Sequence, residues 1–125
     1  MSRVAWLRTS YWAGAIADVL IGFLALMPAR MGETAFRYPM GLAASLMFAW
    51  AVLLLWADRK PVERRGVLPI TVLVIFGLMI TGIYSVAVDL FPVGRIIPTS
   101  ILGLILIALM LFSYLNASGP KEPGR

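Results

Sequence analysis

The acid–base chemistry open to this chain of 125 residues reduces to carboxyl groups and tyrosines, because it has no histidine and no cysteine. Within one chain that excludes thiolate catalysis, disulfides, Cys-ligated metals, His-ligated zinc or haem, and a Ser-His-Asp triad. Two carboxyls stand out by their surroundings. Asp18 lies inside the apolar run Thr9–Met27, and Asp89 closes the run Val67–Leu90. A charged carboxylate at the centre of a membrane helix costs roughly 2.5–3.5 kcal/mol on the insertion scale, so such residues face a bundle interior or a wet cavity.

The helical neighbours of Asp18 agree with that placement. Tyr11, Gly14, Ala15, Gly22 and Ala25 lie three, four or seven residues away and form a small, polar stripe. Thr81, Tyr84 and the indole of Trp50 are candidate partners at nearby depths. Three roles are open to the carboxyl: a neutral interhelical hydrogen-bond donor, a carrier of a proton or cation, or an oligomer contact.

A second stripe, Leu73, Gly77, Thr81, Ser85 and Asp89, repeats every four residues. It reads as a packing seam, or as a face that joins Asp18 to line a polar cleft open to the outer side. Gly41, Ala44, Ser45 and Ala49 would supply the opposing wall. The expected intramembrane site is thus Asp18, Thr81, Tyr84, Ser85 and Trp50. An aspartyl dyad is not expected, since Asp89 stands about 16 Å from the midplane and the two carboxyls could not share a proton. Asp89 is expected to pair at the outer interface with Arg95, Arg37 or Arg30.

These residues must be held by something, and the composition says what. The chain is 61% hydrophobic and 14% charged, with mean hydropathy +0.90, against about 45–50% and about 25% in soluble domains. A chain this short has too little interior to bury that much apolar surface from water. A bilayer span needs about 20 residues, and charges and prolines cut the sequence into four such blocks: about 9–27, 38–57, 67–90 and 97–115. Pro39, Pro69 and Pro98 are expected in first turns and none inside a span. The expected fold is an all-α integral membrane protein, one four-transmembrane-helix bundle over 1–115 with a polar cytoplasmic tail over 116–125. The first run carries Asp18 and has no A-x-A site before Pro28, so it reads as a retained span rather than a signal peptide.

Orientation follows from Lys and Arg. Arg3, Arg8, Arg59, Lys60, Arg64, Arg65, Lys121 and Arg125 fall on one side, and Arg30, Arg37 and Arg95 on the other. That eight-to-three bias places both termini and the loop Asp58–Gly66 in the cytoplasm of a prokaryotic inner or plasma membrane. Trp6, Tyr11, Trp12, Trp56 and Tyr114 should mark the inner boundary and Tyr38 the outer one. The net charge of +5 is thereby topogenic, with contacts to anionic headgroups, and nucleic acid is not an expected partner. The expected partners are the lipid bilayer and either further copies of the chain or a larger membrane protein. No glycine loop cradles a phosphate and the seven methionines do not cluster, so no cofactor or metal is expected.

Four short helices with both termini inside resemble the layout of small multidrug transporters, whose first helix carries an essential carboxylate. Asp18 matches it by position, although that family uses a glutamate and an aromatic pattern not found here. Fluoride channels are similar in size, without their Gly-rich and Asn-containing motifs. Phe36-Arg37-Tyr38-Pro39-Met40-Gly41, opening the second span, is similar to the DoxX-like group of small four-helix bacterial membrane proteins; six residues imply no activity. Two functions follow as expectations. The first is a non-enzymatic bundle acting through helix–helix contacts, as an accessory subunit or alone. The alternative is a small proton- or cation-linked transporter or channel using Asp18.

Overall fold

Four helices carry the chain in a computed structural model that describes residues 2–27, 37–90 and 92–119. They are α1 (Arg3–Leu26), α2 (Arg37–Asp58), α3 (Val67–Ala87) and α4 (Val93–Ser118). There is no strand among the described residues. All four are long and apolar enough to cross a membrane. The β-branched run in α3 (Ile70, Thr71, Val72, Val74, Ile75) is helical, as expected where every backbone group must be satisfied within its own segment.

Local chemistry fixes the ends. Ser2 caps α1, its side chain accepting from the Ala5 amide at 3.2 Å. This helix starts before the expected span boundary, at Arg3, so Arg3 and Arg8 lie within the helix. At the other end of the chain α4 continues to Ser118, so Asn116–Ser118 are helix and not tail. Its start is also earlier than expected. Pro92 takes an extended conformation (φ −68, ψ 149) and caps a helix that begins at Val93, which puts Pro98 in the second turn rather than the first. The Gly94 carbonyl there loses its usual amide donor, because proline has none.

The end of α3 departs from expectation for a different reason. The helix stops at Ala87, and Asp89 sits in the left-handed region at φ 60. The Leu90 amide donates to the Ser85 carbonyl at 2.8 Å and the Asp89 amide to Val86 at 3.0 Å. That paired arrangement closes a helix by satisfying its last carbonyls, and Asp is one of the few residues besides Gly that tolerates the required backbone.

α1 packs along α2 and against α4, and α4 packs against α3. The core lies at the end that holds the termini and the 59–66 turns. Leu7, Tyr11, Leu54, Leu68 and Met110 are fully buried there, with Ala15, Ala51, Ala57 and Ala117. Tyr11 is therefore a core residue as well as one placed at the loop end of the bundle. Its hydroxyl donates to the Pro61 carbonyl at 2.8 Å. Trp12 and Trp56 stay exposed at this end, and Tyr38 at the other.

Candidate functional site

Around Asp18 the helices leave a cleft of about 100 Å³ between α1 and the α3–α4 pair. α1 contributes Ala17, Asp18 and Ile21 to its wall. From α3 come Ile75, Leu78, Met79 and Gly82, which recur at the i, i+3, i+4, i+7 positions of one helical face. α4 supplies Ile96, Thr99, Ser100, Leu102, Gly103 and Leu106. Close approach is what glycine provides here: a Cβ on Gly103 would stand 3.0 Å from Met79 Sδ, and one on Gly82 3.7 Å from Ile96. The Oδ2 of Asp18 is buried at this cleft and meets no hydrogen-bond partner among the described residues. Asp18 is also the cleft's one titratable group among the described residues.

The other residues expected beside Asp18 lie elsewhere. The Trp50 indole donates to Thr71 Oγ1 at 3.0 Å, tying α2 to α3 near the core end. Thr81 and Ser85 hydroxyls bond back to the carbonyls of Gly77 and Thr81 on their own helix, and Tyr84 is exposed. None of the three lines the cleft. The physical reason is rotation: each four-residue step overshoots a helical turn by about 40°, so the Leu73-to-Asp89 stripe winds off one face. Leu73 and Thr81 point outward while Ser85 is buried. The expected opposing wall on α2 is likewise absent. Ala44 is buried, but Ser45 and Ala49 are exposed, and a Cβ on Gly41 would meet nothing within 4 Å. Thr99, Ser100 and Gly103, which do line the cleft, were not singled out from the sequence; their spacing, which sets small and hydroxyl-bearing residues on one face of the fourth span, is the signal that would have found them.

Asp89 belongs to the turn after α3 and to neither ion pair formed among the described residues. The Arg37 side chain and Arg30 lie outside the described residues. Those two ion pairs sit at the core end. Asp58 Oδ1 accepts from Arg8 Nε at 3.2 Å and its Oδ2 from the Trp12 indole at 3.2 Å, so one turn of α1 holds both carboxylate oxygens. Lys60 pairs with Glu63 at 3.3 Å, and the Arg64 guanidinium lies 3.5 Å over the Trp56 ring. No group of three or more metal-ligating acidic residues occurs among the described residues.

No family model, no curated protein and no solved structure matches this chain. The resemblances in layout noted above thus stand on four helices and a few residues, and the chemistry of the site has to be argued from its own geometry.

Proposed function

We propose that this chain is a small polytopic membrane protein of a prokaryotic inner or plasma membrane, with both termini cytoplasmic, that acts through helix–helix contacts as an accessory subunit or stand-alone bundle. The carrying observation is the state of α3. Only Leu68, Thr71 and Ser85 of its 21 residues are buried, and a Cβ on Gly77 would meet nothing within 4 Å. Small and hydroxyl residues let membrane helices approach closely, and α3 presents Gly77 and Thr81 outward while α2 presents Gly41, Ser45 and Ala49. The orientation is supported by charge. Among the described residues Arg3, Arg8, Arg59, Lys60, Arg64 and Arg65 gather at the core end and Arg37 and Arg95 at the other, the bias expected of an inner face. The reading is non-enzymatic on the chain's lack of histidine and cysteine, and Asp18 has no second titratable group in its cleft among the described residues.

Isolation from its native membrane under mild conditions tests this. The chain should come out with further copies of itself or with a larger membrane protein, and Gly77→Ile should weaken that association without unfolding the bundle. A monomer that captures no partner in lipid would sink the proposal. A second reading, in which Asp18 carries a proton or cation, is favoured by the cleft that reaches its carboxyl. Asp18→Asn tests it: retained proton- or cation-linked activity would show that the ionisable group is not used.

A further inference from the structure

Two features make the cleft one-ended. Its wall on α4 runs from Leu106 to Ile96, ten residues or about 15 Å of helix. Ile96 and Gly82 flank the α3–α4 turn, whereas Leu106 and Ile75 face the core. Beyond them Met110, Tyr11, Leu54 and Leu68 are fully buried and close the bundle. Asp18 therefore lies in a cleft closed toward the packed core, and Leu78, Thr99 and Leu102 on its wall are exposed, so it opens on the side away from that core. Thr99 and Ser100 both line the wall, the Thr99 hydroxyl donating to the Ile96 carbonyl of its own helix at 3.0 Å. An ordered water needs roughly 10–15 Å³ of such space and two or more polar partners; a cleft of about 100 Å³ has room for several beside Asp18 and Ser100, the rest of its wall being mostly apolar.

We infer that Asp18 is a proton-binding site reached by water from one end only, along Thr99 and Ser100 from the α3–α4 turn. This rests on the second reading above and adds to it a route and a direction. The surroundings offer the carboxyl no competing charge. α3 and α4 place no titratable side chain in the cleft, and on α2 the described span between Tyr38 and Asp58 has none. On α1 the nearest titratable neighbour along the stripe is Tyr11, whose hydroxyl is engaged by Pro61. Arg95 immediately precedes the lining residue Ile96 and does not itself line the cleft. The expected path through Thr81 and Ser85 is replaced by one on α4.

The native chain has no cysteine, so single-cysteine variants read the cleft directly in proteoliposomes. Asp89→Cys and Arg59→Cys report which membrane face carries the turn and which the core end. A charged, membrane-impermeant thiol reagent added on the Asp89 face should modify Asp18→Cys, Thr99→Cys and Ser100→Cys about tenfold or more faster than the outward-facing Leu20→Cys, because a thiol must be wetted to ionise. The same reagent on the Arg59 face should leave Asp18→Cys untouched. Gly82→Leu, which fills the end of the cleft nearest the turn, should slow Asp18→Cys while Asp89→Cys reacts as before. In the chain with Asp18 intact, a hydrophobic carbodiimide should label that carboxyl. Carbodiimide labelling combined with Asp18→Cys reacting from the Arg59 face, or from both, would overturn the one-ended route and keep the second reading. Thiols unreactive from either face, with no carbodiimide labelling, would overturn both.

Discussion

Asp18 contributes nothing to the packing that a hydrocarbon side chain would not supply better. Its Oδ2 is buried with no hydrogen-bond donor among the described residues, and a polar group in so apolar a setting costs up to about 1–3 kcal/mol, less whatever water in the cleft returns. Asp18→Leu should therefore raise stability by that order, read as resistance to denaturation in lipid or detergent; a loss of stability would mean that the carboxyl holds the bundle together. The glycines of α1 make the opposite point. A Cβ on Gly22 would lie 2.7 Å from the Phe48 ring, and one on Gly14 would stand 2.7 Å from Met110 Cε and 2.8 Å from Leu54 Cδ1, both fully buried. Gly22→Ala and Gly14→Ala should each cost about 1–3 kcal/mol through overpacking. Unchanged stability in either variant would contradict this account.

At the scale of the helices, ends matter more than propensities. Asp89 ends α3 by taking a left-handed backbone, a conformation that costs most L-residues roughly 1–2 kcal/mol. Asp89→Gly should leave stability unchanged or improve it, while Asp89→Val should lose about that amount; a structural role in an ion pair would make both harmful. From sequence Asp89 was read as an interfacial partner for Arg95, Arg37 or Arg30, and the helix-closing backbone that it adopts was not read at all. Backbone handedness leaves no such trace in composition. The seam between α1 and α4 was equally hidden. Ser10 and Ser113 meet at 2.6 Å, and Ser113 also donates to the Trp6 carbonyl at 3.1 Å, yet single serines in apolar runs announce no partner. What the sequence did announce was span number, approximate span limits and Asp18 itself. Proline and charge mark where hydrocarbon must end, and a carboxyl is conspicuous against leucine. Which faces meet depends on helix rotation, and there the four-residue stripe on α3 misled while the i, i+3, i+4, i+7 set from Ile75 to Gly82 lined the cleft.

At the scale of the whole molecule the two ends differ in kind. One is a packed core under a charged loop, and the other holds a cleft. If the loop charges set orientation, replacing Arg59, Lys60, Arg64 and Arg65 with neutral residues should give a mixed population of orientations, scored by reporters fused to the C-terminus. A uniform, unchanged orientation would assign that role to the termini.

The grip of α1 on the segment after α2 has a consequence for how the chain is made. Arg8, Trp12 and Tyr11 reach Asp58 and Pro61, all of which are synthesised before α3 begins. The first two helices can thus latch as a finished hairpin while the second pair is still emerging, and the nascent product passes through a half-sized intermediate. Residues 1–66 and 67–125 expressed as separate pieces should then reassemble in the membrane, detected by co-purification. Failure of the first piece to insert as a stable hairpin would show that the latch closes only after α4 arrives.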